Sequence, residues 1–428
     1  MTDETSGPTP QLTRRHFLQG SALAGFGVFL AACTGVDTSA APSVPGGASQ
    51  TPGATESIAV PTPPPVSPTA TAAPTPKVVT GPLKFANWAA YIDLTGKAYD
   101  TGVYAPGSSP TLEEFKKKYQ VAVDYQEKIE ENPSFLQTIQ PALVANVPTG
   151  WDLIVLTDSF AAEVISKGWA EKIDPENVPN CTANLRDALR HQPWDDGNDY
   201  HYPWQSGMTG VGYNAVALKD NNIAVPTKIA DLWAMPPAKV EFLTEARDTF
   251  GLGLLKIGID PDPAKVTADD LQKVADDIQP LVDKGLKFMG QGYLQSFGAK
   301  NVWAGFVWSG DLASSGGADD KFVFPEEGVM IWTDNMLIPK GAGNKYTAEL
   351  MMNWVYDPKI AAQIANFVYY VSPVNGAADE IKKLDASAAA NPLLFPTAEV
   401  VAKQHSFQFL SADLETKLND LFATLTGK

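Results

Sequence analysis

From about residue 81 onward the chain alternates short apolar runs with stretches of helical spacing. Leu83-Lys84-Phe85-Ala86-Asn87-Trp88 reads as a short strand. Val121, Val123 and Tyr125 alternate as another, and Asp152-Leu153-Ile154-Val155-Leu156 is the continuous apolar run of a buried strand. Thr111-Leu112-Glu113-Glu114 reads as a capping box, with Leu112, Phe115 and Tyr119 on one face of the helix it opens. Asp158 or Ser159 is a suitable cap for a helix after the 152–156 strand. Thr267 with Asp270 starts a helix that carries Leu271, Val274, Ile278 and Leu281. A second unit begins near residue 213. Strands alternating with helices predict an α/β fold with largely parallel sheets. With 428 residues in the chain, a body starting near residue 81 is too long for one ordinary core, so two lobes are expected.

The first 80 residues follow neither pattern. Thr13-Arg14-Arg15-His16-Phe17-Leu18 precedes a modest apolar stretch from Gly20 to Ala32, too short to span a membrane. The arginine pair resembles a twin-arginine export signal. Leu30-Ala31-Ala32-Cys33 resembles a bacterial lipobox, so residues 1–33 are expected to be a signal cut before Cys33, whose thiol carries lipid. Residues 34–80 hold ten prolines and no aromatic residue. Such a chain cannot bury enough apolar surface to offset its ordering entropy, and it is expected to be a disordered tether. The protein would then be exported and anchored to the outer face of the cytoplasmic membrane, in a periplasmic or extracellular position.

Net charge is −17, which argues against nucleic acid or an anionic lipid surface as the main partner. Two cysteines cannot make a disulfide framework once Cys33 is lipidated, which leaves Cys181 as a packing residue. There is no phosphate loop, HExxH or nucleophile elbow, and His191, His201 and His405 show no metal-ligand spacing. No cofactor, metal site or enzyme activity is expected.

Several blocks stand in a recognisable order: Phe85-Ala86-Asn87-Trp88 with Tyr91; Trp151-Asp152-Leu153-Ile154-Val155; Pro203-Trp204 to Gly210-Val211-Gly212-Tyr213-Asn214; Ala230-Asp231-Leu232-Trp233; Glu245-Ala246-Arg247-Asp248; Trp308-Ser309-Gly310-Asp311; Trp332-Thr333-Asp334. Together they resemble the spermidine/putrescine-binding proteins of bacterial ABC importers. The resemblance implies a two-lobed type II periplasmic binding protein, with ligand in the interlobe cleft. It places the crossings near residues 212, 332 and 376. One lobe is then 81–212 plus 332–376, and the other 213–331 plus 377–428. It further implies a monomer that hands a polyamine to membrane permease subunits.

A polyamine is a flexible cation with methylene stretches between ammonium groups. Its site needs carboxylates at the amines and aromatic faces along the stem. Glu245 and Asp248 are spaced to point one way on a helix start. Asp311 follows Trp308 and Asp334 follows Trp332, so acid stands near tryptophan twice. The resemblance adds Trp88, Tyr91, Thr157, Asp158, Tyr370 and Gln408 as ligand-binding positions. Alone, each admits a plainer reading: helix-start acids favoured by the dipole, tryptophans and Tyr369-Tyr370 in the core. Ala89 and Ala90 depart from the family, which has a hydroxyl residue and an acid there. One amine anchor is therefore missing, and Asp158 either replaces it or merely caps its helix. A preference for putrescine or spermidine over spermine is expected. Ferric ion held by Tyr369-Tyr370 and a secreted carbohydrate-active enzyme with paired carboxylates are the competing readings.

Overall fold

The computed structural model describes residues 77–95, 107–290 and 292–427. The expected signal, Cys33 and almost all of the expected tether lie outside the described residues.

Ten strands make one sheet: β1 (Leu83–Trp88), β2 (Val123–Ile129), β3 (Leu153–Thr157), β4 (His201–Asn214), β5 (Val240–Leu243), β6 (Lys287–Met289), β7 (Ala304–Trp308), β8 (Asp320–Val323), β9 (Val329–Leu337) and β10 (Gln404–His405). Their order is β2-β1-β3-β9-β4-β7-β5-β6, with β8 added to β4 and β10 to β9. Each end of this order is parallel: β2, β1 and β3 at one end, β6, β5 and β7 at the other. The middle is antiparallel, because β4 and β9 run against each other and against their neighbours β3 and β7. β4 is 14 residues long, so it spans roughly 45 Å and reaches from one parallel group into the other.

The hydrophobic core divides the same way. One cluster draws on residues between Leu83 and Trp204 and between Trp332 and Ala377. Another draws on Val211 to Met330 and on Phe407, Leu418 and Leu425. The division falls within β4 and again at Ile331 in β9, and we propose that those two strands carry the chain between lobes. Ser206 and Val371 exchange backbone hydrogen bonds of 2.9 and 2.8 Å, which ties the segment before the expected third crossing to β4. The packing beyond that crossing bears on where the first lobe ends. Ile381, Ala388 and Leu394 pack on Ala362 and Ala365 of the helix Pro358–Val368. We propose that the first lobe continues to about residue 395 and that only the remaining C-terminal segment belongs to the second.

Local signals hold, with shifts at two helix starts, Ser109 for Thr111 and Thr157 for Asp158 or Ser159. Thr267 and Asp270 form the expected capping box of the helix Ala268–Val282. The helix Pro110–Tyr119, however, is capped by Ser109, whose hydroxyl accepts from Leu112 N at 3.3 Å. Pro110 accounts for this, because its fixed φ and missing N–H suit the first helical position and move the cap two residues earlier, from Thr111 to Ser109.

Candidate functional site: an acidic cleft with aromatic walls

Parallel strands end together on both sides of one cleft. Trp88 ends β1, Thr157 ends β3 and Trp308 ends β7, while β5 runs out through Leu243 toward Glu245. Open α/β sheets place ligands at such carboxyl ends. Trp332 and Asp334 lie two apart on β9 and so project from the same face of that strand. The cleft encloses about 740 Å³, counting the part open to solvent, and its lining includes Trp88, Tyr91, Thr157, Glu245, Asp248, Trp308, Asp311, Trp332, Asp334, Tyr370 and Gln408.

Asp158 stands apart from these. Its carboxylate accepts from the Thr333 backbone N–H at 2.9 Å and from Asn335 Nδ2 at 2.9 Å. It neither faces the cleft nor caps its helix, since Thr157 occupies the cap position of Asp158–Ser166. Burial pushes its carboxyl up to about 7.

Three of the cleft carboxylates are held by fixed donors. Thr157 Oγ1 donates to Asp334 Oδ1 at 2.7 Å, across the antiparallel pair Thr157–Asp334. Tyr91 Oη donates to Asp334 Oδ2 at 2.8 Å. Thr157 is itself pinned by Asn132, whose Nδ2 donates to Oγ1 at 2.8 Å and whose Oδ1 accepts from Thr157 N at 3.0 Å. Trp308 Nε1 and Thr209 Oγ1 donate to Asp248 Oδ2 at 2.9 and 2.8 Å, and Trp332 Nε1 donates to that threonine oxygen at 3.1 Å. Tyr370 Oη donates to Asp311 Oδ1 at 2.8 Å. Glu245, by contrast, accepts no hydrogen bond from a described residue. Gln408 is buried, and its Oε1 has no partner.

The electrostatics follow from this crowding. Burial pushes Asp248 and Asp334 up to about 6. Burial, reinforced by the Asp248 charge, pushes Glu245 up to about 7. Among the described residues of the lining the one basic group is Arg247, and it is already engaged: Nη2 bonds Glu415, and the guanidinium lies 5.4 Å from the centre of the Phe160 ring. The cleft is therefore a set of carboxylates short of cations, and a ligand cation would relieve the cost of ionising them.

Aromatic faces complete the walls. Tyr91 meets Tyr370 edge-on with centroids 5.6 Å apart, and Trp332 lies 5.3 Å from Tyr370. These rings fit because two neighbours are glycines. A Cβ on Gly207 would stand 2.2 Å from Trp332 Cζ2, and one on Gly310 would stand 2.4 Å from Tyr370 Cδ1. Gly207→Ala is therefore expected to displace the indole, lower stability by ~1–3 kcal/mol and weaken ligand binding together. Thermal melting and titration calorimetry on the same variant check this; an unchanged melt would show that Trp332 yields freely.

Sequence reasoning missed Glu130, Asn132, Ser159, Phe160 and Arg247, which also line the cleft, as does Ala89. Arg247 stands inside the Glu245–Asp248 block and was legible there. Glu130 and Asn132 follow β2 and become visible only once that strand is paired.

A model of the family described as bacterial extracellular solute-binding protein matches residues 111–396. The spermidine/putrescine-binding periplasmic protein of Salmonella typhimurium is 28% identical over 327 residues, covering 75% of this chain and 85% of that protein. A putrescine-binding periplasmic protein of Pseudomonas aeruginosa is 26% identical over 323 residues, covering 71% and 84%. Among solved structures, the Tp0655 lipoprotein of Treponema pallidum superposes with a TM-score of 0.64 at 18% identity, covering 81% of this chain and 99% of that one. The fold is thus that of the two-lobed periplasmic binding proteins. With more than half of its length matched by the family model, the chain belongs to the bacterial extracellular solute-binding protein family.

Proposed function

We propose that the protein captures a polyamine, putrescine or spermidine, outside the cytoplasm and delivers it to the permease of an ABC importer. One observation carries this reading. Glu245, Asp248, Asp311 and Asp334 line one cleft whose one basic group among the described residues is tied to Glu415, between walls of Trp88, Trp308, Trp332, Tyr91 and Tyr370. Carboxylates compensate ammonium groups, and the rings cover the methylene stem. Gln408 adds a buried acceptor in need of an N–H donor. Relatives named as spermidine/putrescine- and putrescine-binding proteins support the same ligand class. The arrangement serves binding and release, with no catalytic step assigned.

Mass spectrometry of small molecules that co-purify with the body, followed by calorimetric titration of putrescine, spermidine and spermine, tests the proposal. Submicromolar to micromolar binding of putrescine or spermidine, ahead of spermine, is the expected result. Absence of amine binding, or tighter binding of a neutral sugar, overturns it. The ferric reading loses its main support, because the adjacent tyrosines diverge. Tyr370 lines the cleft, whereas Tyr369 packs against Ala362, Ala365 and Ile381.

The export reading stays part of the proposal. No described helix is long and apolar enough to cross a membrane. Arg14-Arg15 and Leu30-Ala31-Ala32-Cys33 support twin-arginine export followed by lipidation. Cys33→Ala is expected to move the protein from the membrane pellet to the soluble fraction on ultracentrifugation. Unchanged sedimentation would exclude the lipid anchor.

A further inference from the structure

The wall of the cleft that β1 and β2 form raises a question of charge. Alanines occupy positions 89 and 90 directly after Trp88. Ala90 is buried at φ 51°, and its N–H donates to Glu127 Oε1 at 2.8 Å. Neither residue offers a carboxylate, and Asp158 faces β9 instead. β1 and β2 pair in parallel register from Leu83–Val123 to Asn87–Glu127, and then Trp88 pairs with Ile129. The register slips by one residue at that point. Such a bulge beside a site re-aims the side chains that follow it. Directly after it come Ala89, which follows β1, and Glu130, which follows β2, and both line the cleft. Neighbouring strands lie about 4.8 Å apart, so an acid on the adjacent strand reaches the space that an acid on β1 would fill.

Glu130 does line the cleft, together with Trp88 and Ala89. It is exposed, and no described residue hydrogen-bonds or ion-pairs with its carboxylate. Glu245 lines the same cleft, likewise without a hydrogen bond from a described residue, and the charge of Glu131 is close enough to disfavour ionisation of Glu245. The deeper carboxylates differ in kind: Asp248, Asp311 and Asp334 are buried and already accept from tyrosine, threonine or tryptophan. The cleft thus has three buried acids held by donors and two further acids, Glu130 and Glu245, that no described residue holds.

We propose that Glu130 is the outer ammonium anchor of the site, supplied from β2 in place of the acid absent at Ala90, and that it selects ligands cationic at both ends over monoamines. This rests on the polyamine reading. The inner ammonium sits among the buried carboxylates, the stem lies along Trp88, and the second ammonium ends between Glu130 and Glu245.

Calorimetric titration of putrescine, spermidine and butylamine into the wild type, Glu130→Gln and Glu131→Gln tests the assignment. Both positions are exposed and both exchanges are conservative, and melting curves confirm folding. Glu130→Gln is expected to weaken putrescine and spermidine by about five- to tenfold, the size of a partly screened ion pair, and to leave butylamine unchanged. Glu131→Gln is expected to change the three affinities far less. Equal losses for butylamine and the diamine, or equal losses in the two variants, would reduce Glu130 to a general field effect and overturn the proposal. Wild-type binding of amines with no change in Glu130→Gln sinks the Glu130 assignment alone. A wild type that binds none of the three amines sinks the polyamine reading beneath it.

Discussion

Asp334→Asn is expected to weaken polyamine binding by ~2–5 kcal/mol, which is roughly thirtyfold to several thousandfold, while the unliganded protein keeps or gains stability. The two halves of this result have one origin. Asp334 is buried and its carboxyl is pushed up to about 6, so an unliganded cleft carries the cost of holding a charge without a cation. An amide of the same shape removes that cost and also removes the charge the ammonium needs. The choice of Asp334 over Asp248 follows from the donors around each. Thr157 and Tyr91 hold Asp334 through hydroxyls, which can turn and accept from an amide N–H. Trp308 Nε1 can only donate, so an asparagine at 248 would satisfy it with one orientation alone. Calorimetry with a parallel melting curve reads both halves. Equal affinity of variant and wild type would place Asp334 beyond reach of the ligand, and a collapse of the melt would make its role structural.

Much of this site was legible because its residues sit at ends of elements with strong local signals. Trp308 closes the strand β7 and Asp311 lies in the first turn of the helix that follows, so sequence spacing alone sets them near each other. Trp332 and Asp334 share a face of β9 by the two-residue period. Asp158 shows where such reasoning stops. Its sequence context suits a cap, and its position at a strand end suits a ligand. Its carboxylate instead bonds Thr333 and Asn335, about 175 residues away, because β9 lies antiparallel beside β3. No local pattern encodes that pairing. Glu130 was missed for a related reason: its place in the cleft depends on a bulge between β1 and β2, which neither strand's alternation reveals. The boundary expected near residue 376 is a different case. Ile381 and Leu394 have apolar faces suited to either lobe, and their packing on Ala362 and Ala365 is what supports the later boundary proposed here. The cap at Ser109 rather than Thr111 is a smaller case, set by Pro110 between them.

Acidification should stabilise the empty protein against unfolding and at the same time weaken its grip on a polyamine. The sign follows from the cleft carboxyls. Asp248 and Asp334 are raised to about 6, and Glu245 and Asp158 to about 7, in each case chiefly by burial. Carboxyls in an unfolded chain titrate near 4. Between about pH 4 and 7 the folded protein therefore binds more protons than the unfolded one, and linkage makes its stability fall as pH rises through that window. Each buried aspartate near 6 contributes on the order of 3 kcal/mol to this loss, less where neighbouring charges couple. Buried His201 runs the other way, because desolvation lowers its pKa and protonation below that value opposes folding. An ammonium ligand favours the ionised carboxylates, so binding expels protons near pH 6 and tightens as pH rises from 5 to 8. Two measurements follow. The ligand-induced shift in melting temperature should be larger at pH 8 than at pH 5. Binding heats near pH 6 should depend on the buffer's ionisation enthalpy in the direction of proton release. Asp334→Asn separates the cleft from His201, since it should flatten the pH dependence of binding while the His201 contribution to stability persists. Affinity that is flat or rising toward pH 5 would mean that the cleft carboxyls are ionised before the ligand arrives, and would remove protonation as the competitor of the amine.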